Sequence, residues 1–206
     1  MLLSIDTSAG TSVAVVDRQR GILAEYASDD TRRHAEVIGE LIAACLEASG
    51  IAVAEFSGVV AGMGPGPFTG LRVGIAAARA FAFGAGKPVV PVVSHDAVAF
   101  GIAEPVIVAT DARRHEVYWS AYAGLDAAGL PVRTSGPALA RADDLESLVA
   151  EHGSRRLIQA RTVSAAALGM LAESLYANGR QFATDQPLYL RSPDVTLSAG
   201  PKRVTG

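Results

Sequence analysis

The order of the predicted elements in the first half of the chain returns in the second half, and this repeat limits the fold more than any other feature of the sequence. Alternating and β-branched runs predict strands, and apolar residues at helical spacing predict helices. In the first half the predicted elements are strands at 2–6, 12–17 and 21–27, a helix from Thr31 to Ser49, a strand at 57–62, a helix from Thr69 to about Phe83, a strand at 88–93 and a short helix from His95. In the second half they are strands at 105–110, 116–123 and 130–134, a helix at 142–151, a strand at 155–160 and a helix at 162–177. Self-similarity of this kind indicates two duplicated βββαβα units.

Two such units in tandem are typical of the actin-like ATPase architecture (ASKHA, RNase H-like), an α/β fold in which nucleotide lies between the halves. We therefore expect an N-terminal subdomain at 1–103, a shortened C-terminal subdomain at 104–191 and a flexible tail at 192–206. A carboxylate ends the first strand of each unit, at Asp6 and at Asp111. In that architecture these positions manage a metal ion or the attacking water.

A glycine- and proline-rich loop joins a strand to a helix at 58–74. The first N–H groups of a helix are unpaired, so a loop of this kind can form an anion site. Pro65 and Pro67 cannot donate a hydrogen bond, however, and no Lys-Ser or Lys-Thr pair follows. A rigid turn, with Thr69 as the helix cap, and a ligand loop are both compatible with these residues.

Composition excludes several classes of function. Half of the residues are apolar and the net charge is −3, which provides a core but no basic surface for tight nucleic-acid binding by this chain alone. Cys45 is the single cysteine, so no internal disulfide can form, which fits a reducing compartment. The N-terminus lacks a basic leader region and no apolar run is long enough to span a bilayer. We expect a cytoplasmic protein with no membrane contact.

Several separated motifs, in order, resemble those of the TsaB (YeaZ) family. They are Ile5-Asp6-Thr7, Arg33-His34, the loop from Gly64 to Arg72, Asp111-Ala112-Arg113, Glu116-Val117-Tyr118-Trp119 and Pro187-Leu188-Tyr189-Leu190-Arg191. The resemblance covers most of the chain. It implies a non-catalytic subunit that dimerises with and activates TsaD, the subunit that carries out N6-threonylcarbamoylation of the tRNA adenosine next to the anticodon.

The same resemblance implies the partners. These are a TsaD homologue in a heterodimer, the ATPase TsaE, tRNA indirectly through the complex, and a second copy of the chain when TsaD is missing. It implies no cofactor for the chain by itself, with ATP or ADP only at an interface of the complex.

The residues favour the partner over the catalyst. In the catalytic subunit an H-x-x-x-H pair on one helix face holds metal; here Ser94 and Val98 align with those positions, and His95 lies one step, or about 100°, away. The second hairpin reads Ala112-Arg113-Arg114-His115, without the glycine that lets backbone approach phosphate. We predict no catalytic residues, no metal site and a degenerate nucleotide cleft whose vestigial residues are Asp6, Thr7, Gly64, Gly66 and Asp111.

The two helices of the first half are the predicted partner surface. Apolar residues of the first helix cover an arc of roughly 200°, about twice what packing on one sheet requires, and either edge of the arc is free to face outward. The second helix is apolar nearly all round, and Gly70-x-x-x-Gly74 permits close backbone approach. The resemblance implies a four-helix bundle completed by the partner. The predicted contact residues are His34, Val37, Ile38, Leu41, Ile42, Cys45, Leu46, Phe68, Thr69, Arg72, Val73 and Ala76.

Two other functions stay open on the sequence. One is an independent actin-like ATPase or small-molecule kinase that uses Asp6 and Asp111. The other is a regulatory binding module unrelated to tRNA.

Overall fold

A computed structural model describes residues 1–153 and 155–191. The first half contains β1 (Leu2–Asp6), β2 (Thr11–Asp17), β3 (Gly21–Ser28), α1 (His34–Ser49), β4 (Gly58–Gly62), α2 (Phe68–Ala85), β5 (Val89–Val92) and α3 (Ser94–Ala99). The second half contains β6 (Val106–Arg113), β7 (Glu116–Leu125), β8 (Pro131–Arg141), α4 (Leu145–Glu151), β9 (Arg156–Gln159) and α5 (Ala165–Ala177). The tail predicted at 192–206 lies outside the described residues.

The strands form two sheets with the same topology. The strand order is β3-β2-β1-β4-β5 in the first sheet and β8-β7-β6-β9 in the second. In each sheet the first strand runs antiparallel to the second and parallel to the fourth, so β1 pairs with β2 and β4 as β6 pairs with β7 and β9. The duplicated βββαβα fold predicted from the repeat is confirmed.

Each half contributes one helix that packs on the sheet of the other half. Leu3 and Ile5 of β1 face the core that α1 and α2 cover, whereas Leu2 faces a second core that α5 covers from the opposite side of the first sheet. Side chains alternate along a strand, so a central sheet with two apolar faces needs a layer on both. Two hydrogen bonds hold this layer on the sheet. The Ser4 hydroxyl donates to the Ala165 carbonyl and the Ser12 hydroxyl to the Val163 carbonyl, and both distances are 2.5 Å.

The second sheet is covered in the reciprocal way. Helix α3, from the first half, packs against β6 and β7 in a core with Val108 and Tyr122. Helix α4 covers the other face, where Trp119 and Leu148 meet. The predicted boundary at 103/104 therefore separates the two sheets. The core beneath α5 and the core beneath α3, however, each contain residues from both halves.

Helix α2 begins one residue earlier than predicted. Pro67 occupies the cap position with φ −59° and makes no side-chain cap, so Phe68 is the first helical residue. Proline is tolerated at this cap because its missing N–H lies outside the helix, while its carbonyl accepts a hydrogen bond from the N–H of Leu71 at 3.0 Å. Thr69 is exposed within the first turn and does not cap the helix, contrary to the prediction.

Candidate functional site: the cleft and the helix surface

Asp6, predicted at the mouth of a nucleotide cleft, is enclosed in the first half. Asp6 is 1% exposed to solvent. Oδ1 accepts hydrogen bonds from the backbone N–H and the hydroxyl of Ser8, at 2.8 and 2.6 Å, and Oδ2 accepts one from the hydroxyl of Ser94 at 2.5 Å. Burial raises the pKa of the Asp6 carboxyl above its ordinary value, while the bonds from Ser8 and Ser94 act in the opposite direction.

Thr7 is held by helix α2. Its hydroxyl donates to the carbonyl of Gly70 at 2.7 Å and accepts from the N–H of Gly74 at 3.0 Å. A Cβ on Gly74 would overlap the Thr7 side chain, and one on Gly70 would press on the Thr7 carbonyl. The two glycines, interpreted from the sequence as a place for a partner helix, serve instead for close approach of the first hairpin. That interpretation is wrong.

The glycine loop packs on the same hairpin. The N–H of Gly64 donates to the Ser94 hydroxyl at 3.0 Å, and a Cβ on Gly66 would overlap backbone atoms of Ser8. The loop thus packs closely against the backbone of Ser8 on one side of the hairpin. Of the two readings of the sequence, the rigid turn describes this loop.

Ser94 and His95 face opposite ways from the start of α3. Ser94 bonds to Asp6 and to the glycine loop, whereas His95 is fully buried against the second sheet, with Nδ1 2.8 Å from the Ser120 hydroxyl and Nε2 3.0 Å from the Thr110 hydroxyl. Desolvation by burial, helped by the positive charge of Arg133, lowers the pKa of His95 to about 3. The expected divergence of these neighbours is confirmed.

A cavity of about 640 Å³ lies between the two halves. It is lined by Ser8, Ala9, Asp29, Thr31, His34, Pro67, Ala109, Thr110, Asp111, Arg113, His115, Glu116, Val117, Ala142, Gln159, Ala160 and Arg161. Of the five vestigial residues predicted for a cleft, it includes Asp111 alone. The charged side chains that sequence reasoning missed, among them Arg161 and Asp29, come from loops with no recognisable motif.

Arg113 crosses this cavity. Its guanidinium donates to the hydroxyl of Thr31, next to the start of α1, and its Nε lies 3.8 Å from Asp111. His34 lies beside it, with Nδ1 2.7 Å from the Thr11 hydroxyl. Burial, and after it the charge of Arg113, lowers the pKa of His34.

These residues do not fit the nucleotide that the fold family implies. The carboxylate that would manage a metal ion or water, Asp6, has its oxygens occupied by Ser8 and Ser94 and does not line the cavity. On the wall from the second half, the bulky side chains of Arg113 and His115 line the cavity where a glycine turn would let backbone approach a phosphate.

The turn between β6 and β7 carries backbone strain that glycine would relieve. Arg114 and His115 form a two-residue hairpin loop with φ of 54° and 59°, values that type I′ turns require and that favour Asn-Gly. His115→Gly should raise the free energy of unfolding by about 0.5–1 kcal/mol, because relief of the left-handed strain exceeds glycine's added entropy in the unfolded state.

Urea unfolding followed by circular dichroism would measure this gain. His115→Ala is the matched control, since it removes the imidazole but keeps the Cβ, and it should give no gain. Equal effects of the two substitutions would show that the backbone conformation is not the cause.

The exposed surface of α1 and α2 differs from the predicted one. His34, Ile38 and Cys45 are buried and point into the first half, where Cys45 donates to the carbonyl of Val13 at 3.0 Å. These three residues, which the sequence predicted to contact a partner, are therefore not on the exposed surface of the chain. The centre of the apolar arc on α1 packs on the sheet instead. Both edges of that arc are half-buried, at Val37, Leu41, Ile42 and Leu46.

On α2 an outward stripe continues for four turns. It consists of Thr69, Arg72, Ala76, Ala80 and Phe83, and Phe83 is 91% exposed. Val73 and Phe68, also predicted for the partner surface, are half-buried beside it. We call this stripe together with the outward side of α1 the helix surface.

The last described residues of the chain pass beside α2. Residues 183–191, which we call the strap, run from the edge of β5 past the glycine loop to the second hairpin. The N–H groups of Ala183 and Leu188 donate to the carbonyls of Pro91 and Met63, at 3.1 and 2.8 Å. Arg191 then donates to the carbonyl of Ala112 at 3.1 Å. The strap contains the Pro187–Arg191 motif, to which the sequence assigned no role.

No helix in 1–153 and 155–191 is long and apolar enough to cross a membrane. Within the same ranges, no three His, Cys, Asp or Glu side chains are grouped so that they could hold a metal ion.

Comparison with known proteins decides the family. The family model described as "TsaD: tRNA N6-adenosine threonylcarbamoyltransferase" matches residues 6–183, which covers both halves. The chain belongs to the TsaD family.

The similar proteins include several named TsaB, one named tRNA N6-adenosine threonylcarbamoyltransferase and others described as uncharacterized. A protein of Mycobacterium tuberculosis described as uncharacterized is 36% identical over 203 residues, 94% of this chain and 92% of that protein. The tRNA threonylcarbamoyladenosine biosynthesis protein TsaB of Haemophilus influenzae is 39% identical over 126 residues, 58% of this chain and 52% of TsaB.

A crystal structure from Pseudomonas aeruginosa agrees with the fold. It is described as an uncharacterized protein with similarity to peptidase YEAZ, and it matches with a TM-score of 0.73 and 26% identity over 92% of this chain and 99% of that chain. The resemblance to TsaB (YeaZ) proteins inferred from the motifs is confirmed.

Proposed function

We propose that this chain is a non-catalytic subunit in the biosynthesis of tRNA threonylcarbamoyladenosine. In this proposal it dimerises with a TsaD homologue and activates it for transfer of the threonylcarbamoyl group to the adenosine next to the anticodon. TsaE and tRNA meet the chain only in the complex, and ATP or ADP binds only at an interface of that complex. A homodimer forms when the TsaD homologue is absent.

The enclosed carboxylate of Asp6 is the observation that carries the non-catalytic role. A group that manages metal or water must reach the cleft, and the oxygens of Asp6 are instead occupied by Ser8 and Ser94. An independent ATPase or kinase that relies on Asp6 and Asp111 would need these two carboxylates to face one cavity. The structure places Asp111 on the cavity and Asp6 away from it.

Charge and exposure on the helix surface support the dimer. The charged residues of α1 are the acidic Glu36, Glu40 and Glu47, and those of α2 are Arg72 and Arg79. Arg33 already pairs with Glu36 and Asp185 with Arg79, so Glu40, Glu47 and Arg72 are the charges that the described part of the chain leaves to complement a partner. A partner with an equivalent helix pair, related by an approximate two-fold axis, would set its α1 against this α2 with opposite charges. Phe83, almost fully exposed, gains burial in such an interface.

Depletion of the protein in its native cell tests the function. Threonylcarbamoyladenosine in tRNA should fall at least about tenfold, because the catalytic subunit loses its activator. Nucleoside mass spectrometry measures the modification. Re-expression of the wild-type chain should restore it, and so should Asp6→Asn, whose fold must be checked by circular dichroism. Normal modification after complete depletion would overturn the proposal.

A further inference from the structure

Arg72 is fixed on the helix surface by two aromatic rings. Its Cζ lies 3.9 Å from the centroid of the Phe68 ring, a cation–π geometry. Its Nε donates to the hydroxyl of Tyr189 at 3.3 Å, and the Phe68 and Tyr189 rings lie 4.8 Å apart between centroids. The guanidinium therefore has a defined plane and direction although the residue is exposed.

The strap holds Tyr189 in place for this contact. Arg79, two turns along α2, forms an ion pair with Asp185 at 2.7 Å, and the backbone of Leu188 bonds to Met63. These two anchors before Tyr189, together with the hydrogen bond from Arg191 to the Ala112 carbonyl after it, restrict the motion of the Tyr189 ring. The orientation of Arg72 is thus set before any partner binds, which lowers the entropy lost on binding.

The remaining donors of Arg72 point to no acceptor within residues 1–153 and 155–191. Only its Nε makes a hydrogen bond in that part of the chain, so both Nη atoms are available as a fork. The other arginine of α2 differs, since Asp185 already neutralises Arg79. An interface that covers α2 would bury the Arg72 charge, and burial without a counter-charge is costly.

We propose that Arg72 is a preorganised receptor for a carboxylate of the TsaD-type partner subunit. Its two Nη atoms bind the two carboxylate oxygens as a bidentate pair. This inference rests on the proposed function and adds the chemistry that the partner must present opposite the first turn of α2. The planar fork matches a carboxylate in a way that the point charge of lysine does not. Tyr189 and Phe68 act as positioning residues.

Binding of the chain to the TsaD homologue of the same organism tests the inference. The dissociation constant is measured by titration calorimetry at about 50 and 200 mM salt. Arg72→Ala should raise it at least tenfold and reduce its dependence on salt, Arg72→Lys should raise it at least about threefold, and Tyr189→Phe about twofold. Arg18→Ala, which removes the same charge from the exposed turn between β2 and β3, is the matched control and should bind as the wild type does. Circular dichroism verifies that each variant is folded.

Three results would overturn the inference, and they separate it from the proposed function. Absence of binding by the wild-type chain would remove the proposed heterodimer, and the inference with it. Wild-type binding with an unchanged constant for Arg72→Ala would leave the heterodimer in place and remove the role of Arg72. Loss of self-association in Arg72→Ala, measured by sedimentation equilibrium, with unchanged binding to the TsaD homologue would place the carboxylate on a second copy of this chain.

Discussion

Gly74→Ala should lower the free energy of unfolding by about 3 kcal/mol. The added Cβ would overlap the Thr7 side chain, whose hydroxyl bonds to both Gly70 and Gly74. Helix α2 must then move away from the first hairpin, or Thr7 must turn and leave buried polar groups without partners. Urea unfolding followed by circular dichroism measures the change in the free energy of unfolding.

Gly39→Ala is the matched control in the neighbouring helix. A Cβ on Gly39 meets no atom within 4 Å, so its only effect is the better helix propensity of alanine. We expect it to raise the free energy of unfolding by about 0.5–1 kcal/mol. Thr7→Ala combined with Gly74→Ala should cost less than the sum of the two single changes, because the overlap is removed. A Gly74→Ala variant as stable as the wild type would contradict the packing described for α2.

Acidification should destabilise the protein through His95. Its folded pKa of about 3 lies below the unfolded value of about 6.5, so the unfolded chain binds a proton that the folded chain does not. The stability linked to His95 is therefore complete above the unfolded pKa and falls as the pH drops through the range between the two values. For this one group the loss between pH 6.5 and pH 5 is about 2 kcal/mol.

His95→Gln separates this effect from the titration of carboxylates. Glutamine can donate to and accept from the Ser120 and Thr110 hydroxyls but takes up no proton in this range. Denaturation at a series of pH values should give parallel curves for the two proteins above about pH 7.5. Below about pH 6.5 the wild type should lose stability faster. Curves that stay parallel down to pH 5 would mean that His95 is protonated in the folded state.

Local patterns in the sequence predicted the elements and the repeat, because strand alternation and helix periodicity depend on nearby residues alone. They located β1, β2 and both long helices of the first half to within a few residues. The apolar pattern of α5 likewise predicted a helix. Nothing in its own residues indicated that it would lie on the first sheet, because both sheets offer an apolar face.

The candidate site was less predictable because its geometry depends on residues far apart in sequence. Asp6 is positioned as the strand pattern implies, but its enclosure requires Ser94, 88 residues away. Gly70 and Gly74 carry the same pattern whether they receive a partner helix or Thr7. The Arg72 receptor likewise requires Tyr189, at the far end of the described chain.

The exchange of helices between the halves has a consequence for synthesis on the ribosome. When residue 103 emerges, the first sheet can acquire α1 and α2, but the face around Leu2, Val16 and Val60 is still open to water. That face closes only after α5, which ends at Ala177, has been made. The nascent first half thus exposes a hydrophobic surface while more than seventy further residues are made. This takes roughly 4–15 s at about 5–20 residues per second. The first sheet therefore acquires a packed layer on both of its faces only late in synthesis, after α5 has been made.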